Sequence, residues 1–308
     1  MPGTSRHLME QGRVISALGR LAFSAAKQRI GGKHQAMTIP GPVFQEQVNP
    51  PSARLVEDYL RAVGGNPRHY RDTIPAHLFP QWSFPLAARA LEGIHYPIEK
   101  VLNGGCCIHI NGPLPAGEPL ELSGQLESVD ETDKRVVLRT RITTSTALCR
   151  DAIVTILESY IPLQAKQKSP KNSVRRAREC VPAEAKEIAS WRLGPRDARS
   201  FALLTGDINP VHWVPAYARA MGFRGTILHG FSTMAHAIEG LNRSHFSADV
   251  TRLTSFRAKF TRPLVLPATV GLYLDGNGGV FVGDSPGGPA YMVGDYTTCP
   301  SHARETHT

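Results

Sequence analysis

The sequence predicts an α+β protein made of two copies of one unit, and three observations predict it. Helical periodicity up to residue 91 gives way to alternating strands over residues 100–162. The same order, helices and then strands, returns between residues 195 and 298. Two short motifs also recur in register. Gly64-Gly65-Asn66-Pro67-Arg68-His69 echoes Gly206-Asp207-Ile208-Asn209-Pro210-Val211-His212, and Pro113-Leu114 with Leu120 echoes Pro263-Leu264 with Leu272. From Asn66 to Asn209 is 143 positions and from Pro113 to Pro263 is 150, so the echoes keep their order and nearly their offset.

Each element follows from its pattern. Residues 1–33 are basic, with Val14, Ile15, Leu18, Leu21, Ala22 and Ala25 at helical spacing; they read as a helix packed on the body, with a membrane-surface helix as the alternative. Residues 40–51 are extended and proline-rich. Ser52 caps a helix through Leu55, Tyr59, Leu60 and Val63 that stops at Gly64-Gly65. A second helix lies between residues 84 and 91, with Pro85 confined to its first turn. Strands are predicted over 100–111, 120–129, 135–146 and 152–162. In the second half, Pro195 and Asp197 open a helix that ends at Gly206. A short helix covers 215–221, and a longer apolar one starts at Gly230 and runs through Leu241. Strands follow over 251–261, 268–275, 280–283 and 290–298, with Gly276-Asn277-Gly278-Gly279 as a hairpin turn.

The predicted organisation is a basic helical segment (1–39), a first domain (40–163), a basic linker (164–180), a second domain (181–300) and a tail (301–308). The linker reads as a solvated tether or, alternatively, as a landing strip for an acidic carrier protein or a nucleotide phosphate. A net charge of +9 favours anionic partners, but no zinc finger or basic-aromatic segment points to nucleic acid. Cys106, Cys107, Cys149, Cys180 and Cys299 form no CxxC pair and suit a reducing compartment. No apolar run reaches membrane-spanning length and no secretory signal is read, so a cytoplasmic location is expected.

Chemistry concentrates on residues 204–230. Asn209-Pro210 forces a sharp turn, which lets Asp207 and His212 face one another. A carboxylate and an imidazole that converge can hold a water and move its proton near neutral pH. Gly230, opening a helix, offers a free N–H and no side chain to obstruct a ligand. The plainer readings are a turn aspartate and a satisfied core histidine. His229 and His236, seven apart, suggest a metal site with His212 or, alternatively, packing. Gly230-Phe231-Ser232-Thr233-Met234 begins like a nucleophile elbow but lacks its second glycine. In the first copy no aspartate precedes Asn66, so that copy reads as degenerate.

Thr205-Gly206-Asp207-Ile208-Asn209-Pro210-Val211-His212, with Ala218, Gly222-Phe223 and Ile227-Leu228-His229-Gly230, resembles the signature of the MaoC-like (R)-specific enoyl-CoA hydratases. Phe260-Thr261-Arg262-Pro263 and Leu266-Pro267 are similar to the strand that follows. The whole chain resembles double hot-dog 3-hydroxyacyl-thioester dehydratases. The resemblance implies a tandem hot-dog fold, each unit an antiparallel sheet wrapped round a helix. It implies reversible syn hydration of trans-2-enoyl thioesters, with Asp207 and His212 binding the water, Gly230 polarising the thioester carbonyl and Asn209 supporting the loop or orienting His212. It further implies no cofactor and no metal, a substrate on CoA or acyl carrier protein, a first domain that shapes the acyl pocket, and a monomeric double hot-dog or a homodimer. A hot-dog thioesterase and a non-catalytic acyl-thioester binding module are the competing readings.

Overall fold

A computed structural model describes residues 4–29, 38–97, 100–163 and 179–299. The first half contributes strands β1 (Phe44–Val48), β2 (Leu102–Ile110), β3 (Leu120–Glu131), β4 (Arg135–Ser145) and β5 (Ile153–Pro162). The second contributes β6 (Lys186–Leu193), β7 (Leu253–Phe260), β8 (Ala268–Leu274), β9 (Gly279–Gly283) and β10 (Ala290–Thr298). All ten join one sheet in the order β1-β3-β4-β5-β2-β7-β10-β9-β8-β6. From either edge inward, each half runs first, third, fourth, fifth, second. The duplication suggested by the motifs is therefore written into the topology. The halves meet where β2 pairs antiparallel with β7, Ile108 opposite Phe256.

Helices α1 (Gly12–Arg29), α2 (Ala53–Ala62), α3 (Pro67–Tyr70), α4 (Pro80–Ala90), α5 (Pro195–Thr205), α6 (Pro215–Ala220) and α7 (Gly230–Ser244) complete the described elements, with short 3₁₀ turns between them. Ser52 accepts the Leu55 N–H at 3.2 Å and starts α2 as expected. Gly194 N–H donates to Asp197 Oδ2 at 2.7 Å at the start of α5. In the β8–β9 hairpin, Asp275 Oδ1 accepts from Asn277 and Gly279 N–H. Helices α4 and α7 are the central helices of the two units. Every residue of α7 from Phe231 to Asn242 is buried, polar ones included. One apolar cluster spans both halves, joining Leu60, Trp82 and Ile108 to Phe201, Met234 and Phe256.

Two expectations are corrected, and one strand was not foreseen. The second helix begins at Pro80, not near residue 84, and Pro85 lies inside it. Proline there forfeits one intrahelical bond, and burial of Trp82, Leu86 and Ala88 outweighs that loss. Residues 40–51 are not merely extended: they hold edge strand β1. Edge strand β6 carried no expectation at all. Both strands lie at the sheet's outer edges, where half-exposed residues do not require the apolar alternation that marks an inner strand.

The N-terminal segment packs on the body. Val14, Ala17 and Leu21 of α1 are buried, and Gln11 Nε2 donates to the Leu204 carbonyl at 3.0 Å. That contact consumes the apolar face the membrane-surface reading requires. Among the described residues no helix is long and apolar enough to cross a membrane. The basic linker and the C-terminal tail fall almost wholly outside the described residues.

Candidate active site

Both halves approach the site in the same way. Helix α2 runs into Gly64 and α5 into Gly206, and each glycine has φ near +80°. This left-handed conformation ends a helix and favours glycine. An Asn-Pro turn follows in each: Asn66 Oδ1 accepts the Arg68 N–H at 3.1 Å, and Asn209 Oδ1 accepts the Val211 N–H at 3.2 Å. The asparagine bonds the loop backbone in both copies. Only the second copy inserts Asp207, whose N–H reaches Thr205 Oγ1 at 3.4 Å.

The turn brings His212 beneath the start of α7. His212 is 9% exposed, and its Nδ1 lies 2.8 Å from the Ile227 carbonyl oxygen. A carbonyl only accepts, so Nδ1 carries the proton there and Nε2 of the neutral ring is left with its lone pair. His229 stacks on His212, with ring centroids 3.5 Å apart and planes at 22°. By the same logic His229 Nε2 donates to the Asp207 carbonyl oxygen at 3.0 Å, while its buried Nδ1 has no partner among the described residues. His236 is remote from this group: it bonds the Ser232 carbonyl at 2.8 Å and meets the Trp191 ring edge-on. The grouping of His236 with His212 is therefore replaced by one of Asp207, His212 and His229. Each of these three offers a ligand atom within 4.8 Å of the others. Such a donor set fits a metal ion or a water.

Burial pushes the Asp207 carboxyl above its usual range; the neighbouring His212 and a backbone bond from Asn209 pull it partly back. Burial, and then the neighbouring His212, hold His229 well below the usual histidine range, so His229 stays neutral. The site thus combines a carboxyl raised by burial, a histidine with one free nitrogen, and a neutral histidine stacked on it.

Gly230 is the first residue of α7. Its N–H has no acceptor within the helix, and it lies at the positive end of the helix dipole. The structure supplies a further reason for glycine here. A Cβ would lie 2.6 Å from the Phe260 ring, so the strand after the helix, not only an incoming ligand, excludes a side chain. Phe79 and Phe84 of the first half pack on Phe231 next to Gly230, with ring centroids 5.2 and 5.7 Å away.

Sequence reasoning missed a second buried polar group. His77 Nε2 lies 2.8 Å from Glu239 Oε1, which also accepts from Tyr70 Oη; Asn242 Nδ2 donates to Tyr70 Oη at 3.1 Å. Tyr70 and His77 come from the first half, Glu239 and Asn242 from α7. The acid and amide at Glu239 and Asn242, three apart within a helix read as an apolar core helix, were the signal that could have exposed it.

The MaoC-like domain model matches residues 165–282, which contain the whole loop from Asp207 to Gly230. The second half of the chain is a MaoC-like domain. The chain is 35% identical over 92 residues to 3-hydroxyacyl-thioester dehydratase X of Mycobacterium tuberculosis, covering 30% of this chain and 31% of that protein. A peroxisomal enoyl-CoA hydratase 2 of Arabidopsis thaliana is 24% identical over 182 residues, 55% of this chain and 58% of its own length. The matches thus span about a third and just over half of these relatives. The crystal structure of a MaoC-like dehydratase from Phytophthora capsici superposes with a TM-score of 0.68 at 20% identity, covering 84% of this chain and 96% of that one. That likeness extends the shared fold through both halves, a double hot-dog.

Proposed function

We propose that the chain catalyses reversible hydration of trans-2-enoyl thioesters to (R)-3-hydroxyacyl thioesters, with its single active site in the MaoC-like half. The observation that carries this reading is the convergence of Asp207 and His212, ligand atoms within 4.8 Å, beside the Gly230 end of α7. The names of the two curated relatives, a dehydratase and a hydratase of acyl thioesters, point the same way.

The chemistry needs three things. A water held between Asp207 and His212 Nε2 loses a proton to the pair as its oxygen bonds to C3. Electrons move from the C2–C3 double bond towards the thioester carbonyl, and the Gly230 N–H with the helix dipole stabilises the enolate oxygen that forms. The pair then returns the proton to C2, which regenerates both groups and accounts for both hydrogens of the water. Dehydration is the same path in reverse. Asn209 keeps the loop's shape through its bond to the Val211 N–H and makes no described contact with the His212 ring.

The first half, lacking the aspartate, acts as wall: Phe79 and Phe84 bound the space beside Gly230 and shape the acyl pocket. One chain then provides both hot-dog units, and a monomer suffices. The substrate arrives on CoA or on acyl carrier protein, both anionic carriers that suit the net positive charge.

The test is loss of the conjugated enoyl-thioester absorbance by purified protein, over a chain-length series on CoA and on carrier protein. Asp207→Asn and His212→Ala are each expected to lower turnover by about 10²–10⁴-fold with the fold retained. Near-wild-type hydration by either variant, or release of free thiol in place of hydration, sinks the assignment.

A further inference from the structure

The N-terminal segment, a 3₁₀ turn (Thr4–Gln11) and α1, lies outside the MaoC-like half, yet it reaches the turn that carries Asp207. Helix α5 ends at Thr205, so its last carbonyls have no partner within the helix. One of them, that of Leu204, accepts from Gln11 Nε2 at 3.0 Å. Gln11 is 0% exposed, and its Oε1 has no partner among the described residues. Burying this amide therefore costs stability, which only the bond to Leu204 offsets. Val14, also buried, closes over the next turn: a Cβ at Gly206 would lie 2.7 Å from Val14 Cβ and 3.2 Å from Gln11 Oε1. Two things thus demand glycine at 206, its φ of +80° and the approach of this segment. Asp207 is the next residue in the chain.

The degenerate copy gives an internal comparison. Gly64 ends α2 with the same φ, but a Cβ there would meet, among the described residues, only Trp191 Nε1 at 3.6 Å. Its neighbour Gly65 faces the Glu239 side chain of α7 instead. The turn without the aspartate rests on the body, whereas the turn with it rests on the N-terminal segment. That segment is itself fastened on either side of Gln11 and Val14. Before them, buried His7 has Nδ1 2.7 Å from Glu10 Oε1 and Nε2 2.8 Å from Asp58 Oδ2 of α2. After them, Ala17 and Leu21 share an apolar cluster with Ala88, Leu91 and Leu126. Both anchors belong to the first half, and the two residues between them reach the catalytic turn of the second.

We infer that Gln11 and Val14 are positioning residues, which hold the end of α5 and the Gly206 turn in the geometry that aims Asp207 at His212, a role that rests on the hydration proposed above. Neither side chain is placed against the reacting atoms; both act through the backbone that bears the carboxylate. Misplacing a catalytic group by about 1 Å can cost about a hundredfold in rate. A restraint on this backbone is therefore felt in kcat and not in KM.

Three variants of the full chain test it. Gln11→Met keeps the length of the side chain and loses the donor. Val14→Ala opens the space above Gly206. Leu21→Ala loosens the same helix away from the turn. Each is compared with the wild type by enoyl-thioester hydration per folded molecule, and by hydrogen exchange of the peptide 203–212, which needs no turnover. Gln11→Met and Val14→Ala should each lower kcat about tenfold or more, leave KM within about twofold, and speed exchange in that peptide. Leu21→Ala should lower the melting temperature and change neither kcat nor that exchange. Unchanged exchange in both Gln11→Met and Val14→Ala overturns the inference whether or not the chain hydrates. Faster exchange with an unchanged kcat overturns it too, as does an equal fall of kcat in Leu21→Ala, which would make the effect one of general loosening. A wild type that does not hydrate enoyl thioesters removes the underlying reading and, with it, the catalytic role of Gln11 and Val14; the exchange result still separates a held turn from a free one.

Discussion

Asp207 stands under opposed influences. Burial raises its pKa, and His212 and the Asn209 backbone lower it less than burial raises it. A carboxyl raised in the folded state favours folding fully below the unfolded value of about 3.9, and that contribution is lost as pH rises through the folded value. At neutral pH the buried carboxylate therefore costs stability, so Asp207→Asn should melt higher than wild type at pH 7, the gap closing below about pH 4. His229 works in the opposite sense: its depressed pKa favours folding above about pH 6.5, and that advantage is lost as pH falls towards its folded value. Thermal melts across pH 3–8 read both; a lower melting temperature for Asp207→Asn at pH 7 contradicts the burial argument. Gly230 makes a steric prediction. Gly230→Ala places a methyl 2.6 Å from the Phe260 ring, which should cost about 1–3 kcal/mol as well as activity. Phe260→Leu in the same chain should return stability by making room, as denaturant titration would show.

At the scale of elements, α7 is held by more than apolar contact. Glu239 and Asn242 reach across to Tyr70 and His77, so a helix of the second half is latched to a turn of the first. Burial raises Tyr70 and Tyr59 well above the usual tyrosine range, so both stay neutral at the latch. Removing the carboxylate strands His77 and Tyr70 in a dry interior. Glu239→Ala is expected to cost about 3–5 kcal/mol in urea unfolding; a loss under about 1 kcal/mol would show that the network is incidental. Helix α5 and its Asn-Pro loop were legible from sequence, since Pro195, Asp197 and Gly206 punctuate it by backbone rules alone. The start of α4 was not, because a proline inside a helix is tolerated only when packing, invisible in one sequence, outweighs it. Edge strands β1 and β6 were missed for a related reason: their ladder bonds come from partners remote in the chain, not from their own composition.

For the molecule as a whole, the two units share one sheet and one core. Strand β7 would be a bare, half-apolar edge without β2. A single cooperative transition is therefore expected in calorimetry, and two resolved transitions would contradict a common core. Residues 179–299 expressed alone should associate through β7 and elute larger than a monomer in size-exclusion chromatography with light scattering. A stable monomer would show that the β2–β7 seam is dispensable.

The sequence by itself determined the doubled α+β plan, most strand positions, and the loop that presents Asp207, Asn209 and His212 ahead of Gly230. These rest on local rules: hydrophobic period, proline and glycine geometry, and a motif repeated in order. Tertiary structure alone decided that His229, not His236, joins that loop, that Phe260 enforces glycine at 230, and that Glu239 and Asn242 complete a polar group with Tyr70 and His77. Each of these depends on side chains far apart in the chain meeting at one point, and the spacing within a single sequence carries no record of such meetings.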